Sequence, residues 1–302
     1  MAPKNPPHDF PLERTVPGPR PNASRPQVVR VPENACDAHC HLFGPADPFP
    51  FSPNRSYTPP DSGLDEFLAL QSQLGLSRAV FVQASCHGVD NSAMVDGIRR
   101  GGGRFAGVAM IDDSFTAADL AELHDNQVRG IRFNFVAHLG GAPDLDQFWR
   151  LVHRVAVLDW HIVLHFDAKD FADYAPVLDA MPVPYIIDHM ARVPATDGVE
   201  QEPFEHLLER YAGDERCWIK ISCAERLTEG KVPPFDDVVP FAQALIATNT
   251  DRLLWGTDWP HPNIKEMPDE GELLDLLARF APDEAVRNQI LVDNPQVLYD
   301  FS

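Results

Sequence analysis

Eight short apolar segments, separated by amphipathic ones, are the feature that most constrains the fold of this 302-residue chain. The apolar segments are 35–41, 78–84, 105–111, 128–135, 161–166, 185–189, 217–222 and 252–256. Each is apolar on both faces, which is typical of a strand buried between other elements. Apolar residues at three- and four-residue spacing predict helices between them, over 64–74, 117–124, 146–158, 204–211 and 235–247. This α/β alternation predicts a closed parallel (β/α)8 barrel, the TIM barrel.

An open doubly wound sheet is the alternative arrangement for alternating strands and helices. Its dinucleotide-binding forms carry a glycine-rich turn directly after a strand, and no predicted strand of this chain is followed by one. The run Gly101-Gly102-Gly103 instead ends a helical segment and precedes a strand, which indicates a turn. The closed barrel is therefore the favoured architecture.

Two proline-rich stretches stand apart from the alternation. Residues 1–34 hold nine prolines and no apolar periodicity, which predicts an extended arm in front of a barrel domain over 35–302. The second stretch runs from residue 43 to 60 and has aromatic side chains, Tyr57 among them, between its prolines. Aromatic residues in a helix-breaking loop predict that it packs over the barrel as a wall or lid.

Charge and cysteine content exclude several classes of protein. The chain has 25 lysines and arginines against 45 aspartates and glutamates, a formal net charge of −20, so we expect no nucleic-acid partner and no anionic membrane surface. No apolar run approaches the roughly 18 residues of a membrane span and no signal peptide is recognisable, so we expect a cytoplasmic protein. The five cysteines form no C-x-x-C pair, which predicts small buried side chains and no disulfide framework.

Polar residues recur where the predicted strands end, and in a barrel of this kind the reacting groups lie at the C-terminal ends of the strands. Strand 1 ends in Asp37-Ala38-His39-Cys40-His41, and alternation places both imidazoles on one face with Cys40 facing away. Two converging imidazoles form half of a metal site or a pair that polarises a carbonyl. The other strand ends supply Ser85, Arg132, Asn134, His165, Asp188, His189, Glu225, Arg226, Asp258 and His261. Four histidines and an aspartate at one rim favour a functional site over separate structural roles.

The order of these residues resembles the amidohydrolase superfamily of metal-dependent hydrolases, with His-x-His on strand 1, histidines on strands 5 and 6 and an aspartate on strand 8. From Cys36 onward, nearly the whole chain is similar to the lactonase branch that contains 2-pyrone-4,6-dicarboxylate lactonase. Five blocks carry the resemblance in the same order, namely 37–41, 82–88, 129–135, 187–190 and 255–263.

The resemblance implies that the chain hydrolyses a small, highly anionic lactone. Asp258 matches the general base of the family, and His39, His41 and His189 match its carbonyl-polarising histidines. Arginine binds a carboxylate or sulfonate through two parallel hydrogen bonds. The family's ligands for the acid groups of the substrate match Arg132, Arg192, Arg226 and Tyr57, and Ser85 is a weaker candidate at a strand end.

Two positions depart from the pyrone-dicarboxylate pattern. That lactonase has a further arginine where this chain has Ala137-His138, and a tyrosine at the end of strand 5 where this chain has His165. Both differences remove partners of substrate carboxylates, so they predict a different polyanion, with His138 among its ligands. The first expectation is 4-sulfomuconolactone, and 2-pyrone-4,6-dicarboxylate and the lactones of sugar acids are the alternatives.

A metal ion is the expected cofactor, with metal-free catalysis as the alternative. His39, His41, His165 and Asp258 offer three nitrogens and one oxygen, which could hold a single divalent ion, zinc above all. A second ion is not expected, because strand 4 has no lysine to bridge two metals. In the metal-free alternative His165 contacts the substrate. A zinc-dependent decarboxylase of the same superfamily and a non-catalytic binding protein on the same scaffold also stay open.

Overall fold

The computed structural model describes residues 15–139, 141–229, 232–264 and 266–301. Eight parallel strands follow one another in chain order around one sheet. They are β1 Cys36–Cys40, β2 Arg78–Val82, β3 Phe105–Ala109, β4 Val128–Asn134, β5 His161–His165, β6 Tyr185–Ile187, β7 Cys217–Lys220 and β8 Leu253–Leu254. Each begins at its predicted first residue or one residue later, and the predicted (β/α)8 barrel is confirmed.

Helices connect the strands and cover the outside of the barrel. They are α1 Leu64–Leu74, α2 Ser92–Gly101, α3 Ala117–Asp125, α4 Leu145–Ala156, α5 Phe171–Asp179, α6 Glu202–Gly213, α7 Ala224–Leu227, α8 Val239–Thr248, α9 Glu270–Phe280, α10 Glu284–Asn288 and α11 Asn294–Tyr299. The predicted helix over 235–247 begins later than expected, because Phe235 has a φ of 57° and Pro240 favours a start at Val239. Within the described ranges no helix has the length and apolar character needed to cross a membrane.

The apolar core has two layers. A large outer layer lies between the strands and the helices, and a smaller inner layer of small and branched side chains fills the barrel. Tyr299 and Phe301 join the inner layer together with Cys36 of β1. The barrel is therefore solid on the side of its strand N-termini. All five cysteines are buried free thiols, as predicted.

The seam between the first and last strands closes the barrel. Because β8 has only two residues, backbone hydrogen bonds beyond its end make most of this contact. The amide of Ala38 donates to the carbonyl of Trp255 at 2.9 Å, and the amide of Asp258 donates to the carbonyl of His39 at 2.8 Å. The seam thus brings the end of β1 and the segment after β8 side by side.

The carboxylate of Asp37 reinforces this seam from inside the protein. It accepts hydrogen bonds from the amide of Thr257 at 3.0 Å and from its hydroxyl at 2.6 Å. Burial raises the pKa of Asp37 to about 6 despite these bonds. A Cβ at Gly256 would lie 2.4 Å from the amide nitrogen of His39, so only glycine permits the close approach of the two segments.

Segments outside the alternation lie against the barrel. Residues 15–34 form no helix or strand. Asp269, directly before α9, and Asp275, within α9, accept hydrogen bonds from backbone amides of this segment. The rest of the predicted arm, 1–14, lies outside the described residues. The second proline-rich stretch packs Phe43 and Tyr57 against the end of β2, where its sequence predicted a wall or lid.

Candidate active site

The two histidines of the first strand point into the barrel from its C-terminal end. Their ring centroids are 5.0 Å apart, and Cys40 between them belongs to the outer layer of the core, which is the alternation that the sequence predicts. Nδ1 of His41 lies 2.7 Å from the carbonyl oxygen of Val82. A carbonyl only accepts, so Nδ1 of His41 carries the hydrogen and a neutral His41 ring keeps a lone pair on Nε2.

Asp258 lies at the centre of the site, directly after the seam. Its Oδ1 atom is 3.2 Å from Nε2 of His41, 3.5 Å from Nε2 of His39 and 3.9 Å from Nε2 of His189. Burial alone would raise the pKa of Asp258, but the Arg226 guanidinium and the neighbouring imidazoles hold the pKa well below its usual value. The carboxylate is therefore ionised at neutral pH.

Arg226, on the short helix after β7, holds the other oxygen of this carboxylate. Its Nε and Nη2 atoms donate to Oδ2 of Asp258 at 3.1 and 2.5 Å, and Nη2 also donates to the carbonyl of Pro262 at 2.9 Å. The sequence assigned Arg226 to the substrate, and the structure shows two of its N–H groups bonded to Asp258. The same side chain still lines the cavity described below.

His189 follows β6 in a strained turn. His189, Met190, Ala191 and Arg192 all have φ between 51° and 55°, a left-handed conformation that costs roughly 1–2 kcal/mol for each residue that is not glycine. The turn directs the His189 ring inward, where Nδ1 lies 2.8 Å from the hydroxyl of Ser222. Burial lowers the pKa of His189 to about 4, so the ring is neutral near pH 7.

A buried ion pair lies beneath these side chains. Nζ of Lys220 is 3.0 Å from Oδ1 of Asp188 and 2.9 Å from Nδ1 of His39, and all three side chains are fully buried. Burial alone would raise the pKa of Asp188, but Lys220 and His39 hold the pKa well below its usual value. The sequence analysis missed Lys220. Its signal was a lysine at an inward-facing position of β7, between Trp218 and Ser222.

A narrow cavity opens above Asp258. Its volume is about 30 Å³. It is lined by His41, Tyr57, Ala84, Ser85, Arg132, Leu139, His165, His189, Arg192, Arg226, Asp258, Pro262 and Asn263. The lining includes the predicted substrate ligands apart from His138, whose side chain lies outside the described part of the structure.

Two further arginines face this cavity. Nη2 of Arg132 is 3.2 Å from Nδ1 of His165 and 3.7 Å from Oδ2 of Asp188, while its buried Nε has no hydrogen-bond partner among the described residues. Arg192 is partly exposed, and its Nε donates to Asp167 at 2.6 Å. Arg132 therefore has a buried N–H without a partner among the described residues, and Arg192 is oriented from one side by a carboxylate.

Three of the four predicted metal ligands converge. Ligand atoms of His39, His41 and Asp258 lie within 4.8 Å of one another. Their separations of 3.2 and 3.5 Å from Oδ1 match the edge of about 3.4 Å of a tetrahedron with metal–ligand bonds near 2.0–2.1 Å. The three residues therefore fit part of the shell of a divalent ion. His165 joins no such cluster among the described residues.

A second buried cluster lies beside the site. Nδ1 of His261 lies 3.8 Å from Oε1 of Glu225, and Nε2 of His261 lies 3.3 Å from Oε1 of Glu270. Burial would lower the pKa of His261, but the two carboxylates raise it to about 9. His261 is thus a cation that joins α7 to the start of α9. The sequence placed Glu225 and His261 near the rim without assigning them a role.

Imidazoles at the ends of the first and sixth strands of a (β/α)8 barrel thus meet a carboxylate that follows the eighth. Residues 36–301 match the amidohydrolase family, and the chain belongs to it.

Two curated relatives of the chain are named as hydrolases of anionic lactones. The chain is 44% identical over 286 residues to a 2-pyrone-4,6-dicarboxylate hydrolase of Comamonas testosteroni, covering 92% of this chain and 93% of that one. It is 43% identical over 286 residues to a 4-sulfomuconolactone hydrolase of Rhizobium radiobacter, covering 93% and 95% of the two chains. Among solved structures, a candidate 2-pyrone-4,6-dicarboxylic acid hydrolase from Pseudomonas putida is 28% identical, with a TM-score of 0.78 and coverage of 91% and 99%.

Proposed function

We propose that this protein hydrolyses a small polyanionic lactone. The observation that carries the proposal is that one cavity sets the Asp258 carboxylate, surrounded by imidazoles, beside the guanidinium groups of Arg132, Arg192 and Arg226. Ester hydrolysis needs a base and donors for an oxyanion, and a substrate with several acid groups needs arginines. The names of both curated relatives, which describe hydrolases of anionic lactones, support the same class.

Asp258 is the general base in this proposal. Arg226 holds Oδ2, which leaves Oδ1 to take a proton from a water that attacks the lactone carbonyl. Because the pKa of Asp258 is low, the group is ionised before the reaction and, once it has taken the proton, releases it readily to the departing ring oxygen. One oxygen thus handles the proton while the other fixes the orientation of the group.

His189 stabilises the negative charge that develops on the carbonyl oxygen. If the hydroxyl of Ser222 donates to Nδ1 of His189, the neutral His189 ring presents an N–H at Nε2 toward the cavity. A donor that is fixed in place before the reaction stabilises the transition state more than the substrate.

His39, His41 and Asp258 are the residues that would hold a divalent ion, and zinc suits a set of two imidazoles and a carboxylate. Such an ion supplies Lewis-acid polarisation of the carbonyl when it is bound. For such an ion the protein would present Nε2 of His41 with its lone pair, because Nδ1 of His41 donates its hydrogen to the carbonyl of Val82.

The proposed substrate is 4-sulfomuconolactone, because His138 and His165 replace two carboxylate partners of the pyrone-dicarboxylate pattern. In that lactone the carbon bonded to the ring oxygen also carries the sulfonate. Water adds to the carbonyl, the ring C–O bond breaks, and the freed alkoxide forms a ketone as sulfite leaves, which gives maleylacetate. The second candidate is 2-pyrone-4,6-dicarboxylate, whose named hydrolase has a similar identity to the chain.

An assay with both lactones, with and without a chelator, tests the proposal. We expect turnover of 4-sulfomuconolactone with release of sulfite, and slower turnover of 2-pyrone-4,6-dicarboxylate. Loss of activity with the chelator and its return with zinc would assign the metal. Carbon dioxide release without ring opening would point to a decarboxylase, and no turnover of either lactone would refute the proposed substrates.

A further inference from the structure

We propose that Lys220 fixes the ring tautomer of His39, so that Nε2 of His39 carries a hydrogen and faces the site as a donor. The two histidines of the first strand are then held in opposite tautomers. His41 presents a lone pair at Nε2 and His39 presents an N–H at the same atom. What this donor does during turnover rests on the proposed function, whereas the tautomer itself does not.

The geometry around Nδ1 of His39 carries the inference. Nζ of Lys220 lies 2.9 Å from this nitrogen and 3.0 Å from Oδ1 of Asp188. An ammonium has three hydrogens and no acceptor, so it donates to both neighbours. Nδ1 of His39 must then accept, which leaves the ring hydrogen on Nε2. All three side chains are fully buried, so water does not compete for these bonds.

The opposite tautomer is disfavoured by the same contact. A histidine that binds a metal through Nε2 ordinarily donates its Nδ1–H to a carboxylate or carbonyl. The available carboxylate is Oδ1 of Asp188, 3.4 Å away, but an Nδ1–H would also meet the N–H groups of Lys220 at 2.9 Å. Two donors would face each other. Lys220 therefore works against His39 as a metal ligand, although its Nε2 is well placed for one.

On the cavity side, Nε2 of His39 has no hydrogen-bond partner among the described residues and faces the carboxylate of Asp258. Nε2 of His39 lies 3.5 Å from Oδ1 of Asp258, the atom that is also 3.2 Å from Nε2 of His41. A water or a lactone carbonyl that enters between these groups meets a donor from His39 and an acceptor from His41. Lys220 touches none of the reacting atoms in this arrangement and acts as a positioning residue through His39.

The ring tautomers can be read directly by NMR of protein labelled with ¹⁵N-histidine. We expect the signals of His39 to show hydrogen on Nε2 and those of His41 to show hydrogen on Nδ1, assigned with His39→Gln and His41→Gln. In Lys220→Met the signals of His39 should move toward the Nδ1–H form. Hydrogen on Nδ1 of His39 in the unaltered protein, or no change in Lys220→Met, would overturn the proposal.

Affinity for zinc gives a second readout that needs no substrate. In competition with a chromophoric chelator, we expect Lys220→Met to bind Zn²⁺ at least tenfold more tightly than the unaltered protein, and the exposed-lysine control Lys169→Met to bind it equally. The loss of the positive charge of Lys220 would by itself raise the affinity for Zn²⁺, so this effect needs a separate control. The variant that combines Lys220→Met with Asp188→Asn keeps the net charge and offers an amide oxygen to Nδ1.

The charge-balanced variant decides between the two causes and also avoids an unpaired buried carboxylate. Tight binding in this variant supports control through the tautomer. A return to the affinity of the unaltered protein would show that charge alone acts, and would overturn the proposal. These outcomes stay readable if neither lactone is turned over. Where turnover is seen, Lys220→Met should lower kcat by at least tenfold and leave KM within about twofold.

Discussion

At the scale of single residues, the two oxygens of Asp258 have different partners. Oδ2 accepts from Arg226, and Oδ1 faces the imidazoles. The arginine helps to keep the carboxylate ionised and fixes its plane, so the oxygen that would take a proton in the proposed reaction is set before the substrate arrives. The orientation of the proposed base thus depends on Arg226, while its charge depends on Arg226 and the imidazoles together.

Replacing Asp258 with asparagine keeps the shape of the group and removes its ability to take a proton. We expect kcat to fall by on the order of 100-fold or more, with little change in the melting temperature. Steady-state kinetics and calorimetry measure the two quantities. Asp113→Asn, at an exposed ion pair with Arg150, is the matched control and should keep full turnover. More than a tenth of the original turnover in Asp258→Asn would exclude it as the base.

Arg192 offers a test of charge recognition, because Asp167 orients it without burying it. Arg192→Ala should lower kcat/KM by on the order of 30-fold or more, mainly through KM, and Arg192→Lys should restore little, since lysine lacks the planar pair of donors. Kinetics on the native lactone measure both. If the alanine variant keeps its catalytic efficiency, this guanidinium does not bind the substrate.

His165 stands outside the group formed by His39, His41 and Asp258. We therefore expect His165→Tyr to keep the zinc content of the purified protein and to lose activity on 4-sulfomuconolactone. Combined with His138→Arg, it should gain activity on 2-pyrone-4,6-dicarboxylate, because both missing carboxylate partners return. Elemental analysis and the two assays measure the outcome. Loss of zinc in the single variant would place His165 back among the metal ligands.

At the scale of elements, the sequence predicted the strands closely because each is a short apolar run between polar turns, and the starts agree within one residue. It did not predict the left-handed turn from His189 to Arg192, since local preference assigns positive φ to glycine or asparagine and this turn has neither. The sequence also did not predict the role of Lys220, because its contacts depend on which residues face it across the barrel. Strand ends can be predicted from local pattern, whereas partners across the barrel depend on register.

His87 attaches the loop of residues 43–60 at two points. Nδ1 of His87 donates to the carbonyl of Pro50 at 3.0 Å, and Nε2 accepts from the amide of Gly44 at 3.0 Å. His87→Phe keeps a ring beside Phe51 and removes both hydrogen bonds, each worth about 1 kcal/mol. We expect faster hydrogen exchange in the loop and a several-fold higher KM, because Tyr57, which lines the cavity, belongs to this loop. The exposed control His153→Phe should change neither, and unchanged exchange in His87→Phe would mean that other contacts hold the loop.

At the scale of the whole molecule, the buried cation His261 makes stability depend on pH. Its pKa is about 9 in the folded protein, against about 6.5 when unfolded, so its contribution is complete below pH 6.5 and is lost as the pH rises through 9. The difference corresponds to about 3 kcal/mol. Denaturant unfolding at pH 6 and pH 9 should show this loss, and His261→Gln should flatten it. An equal slope in both proteins would show that His261 does not cause it.

The seam between β1 and the segment after β8 also has a consequence for synthesis. The histidines of β1 meet Asp258 at this seam. His41 and Asp258 are 217 residues apart in the chain. Contacts of such long sequence separation form late in folding. During synthesis the histidines of β1 are made early, and nearly all of the remaining barrel is made before Asp258. A chain that stops short of β8 lacks both the closure of the barrel and the proposed base, so an unfinished copy is also an inactive one.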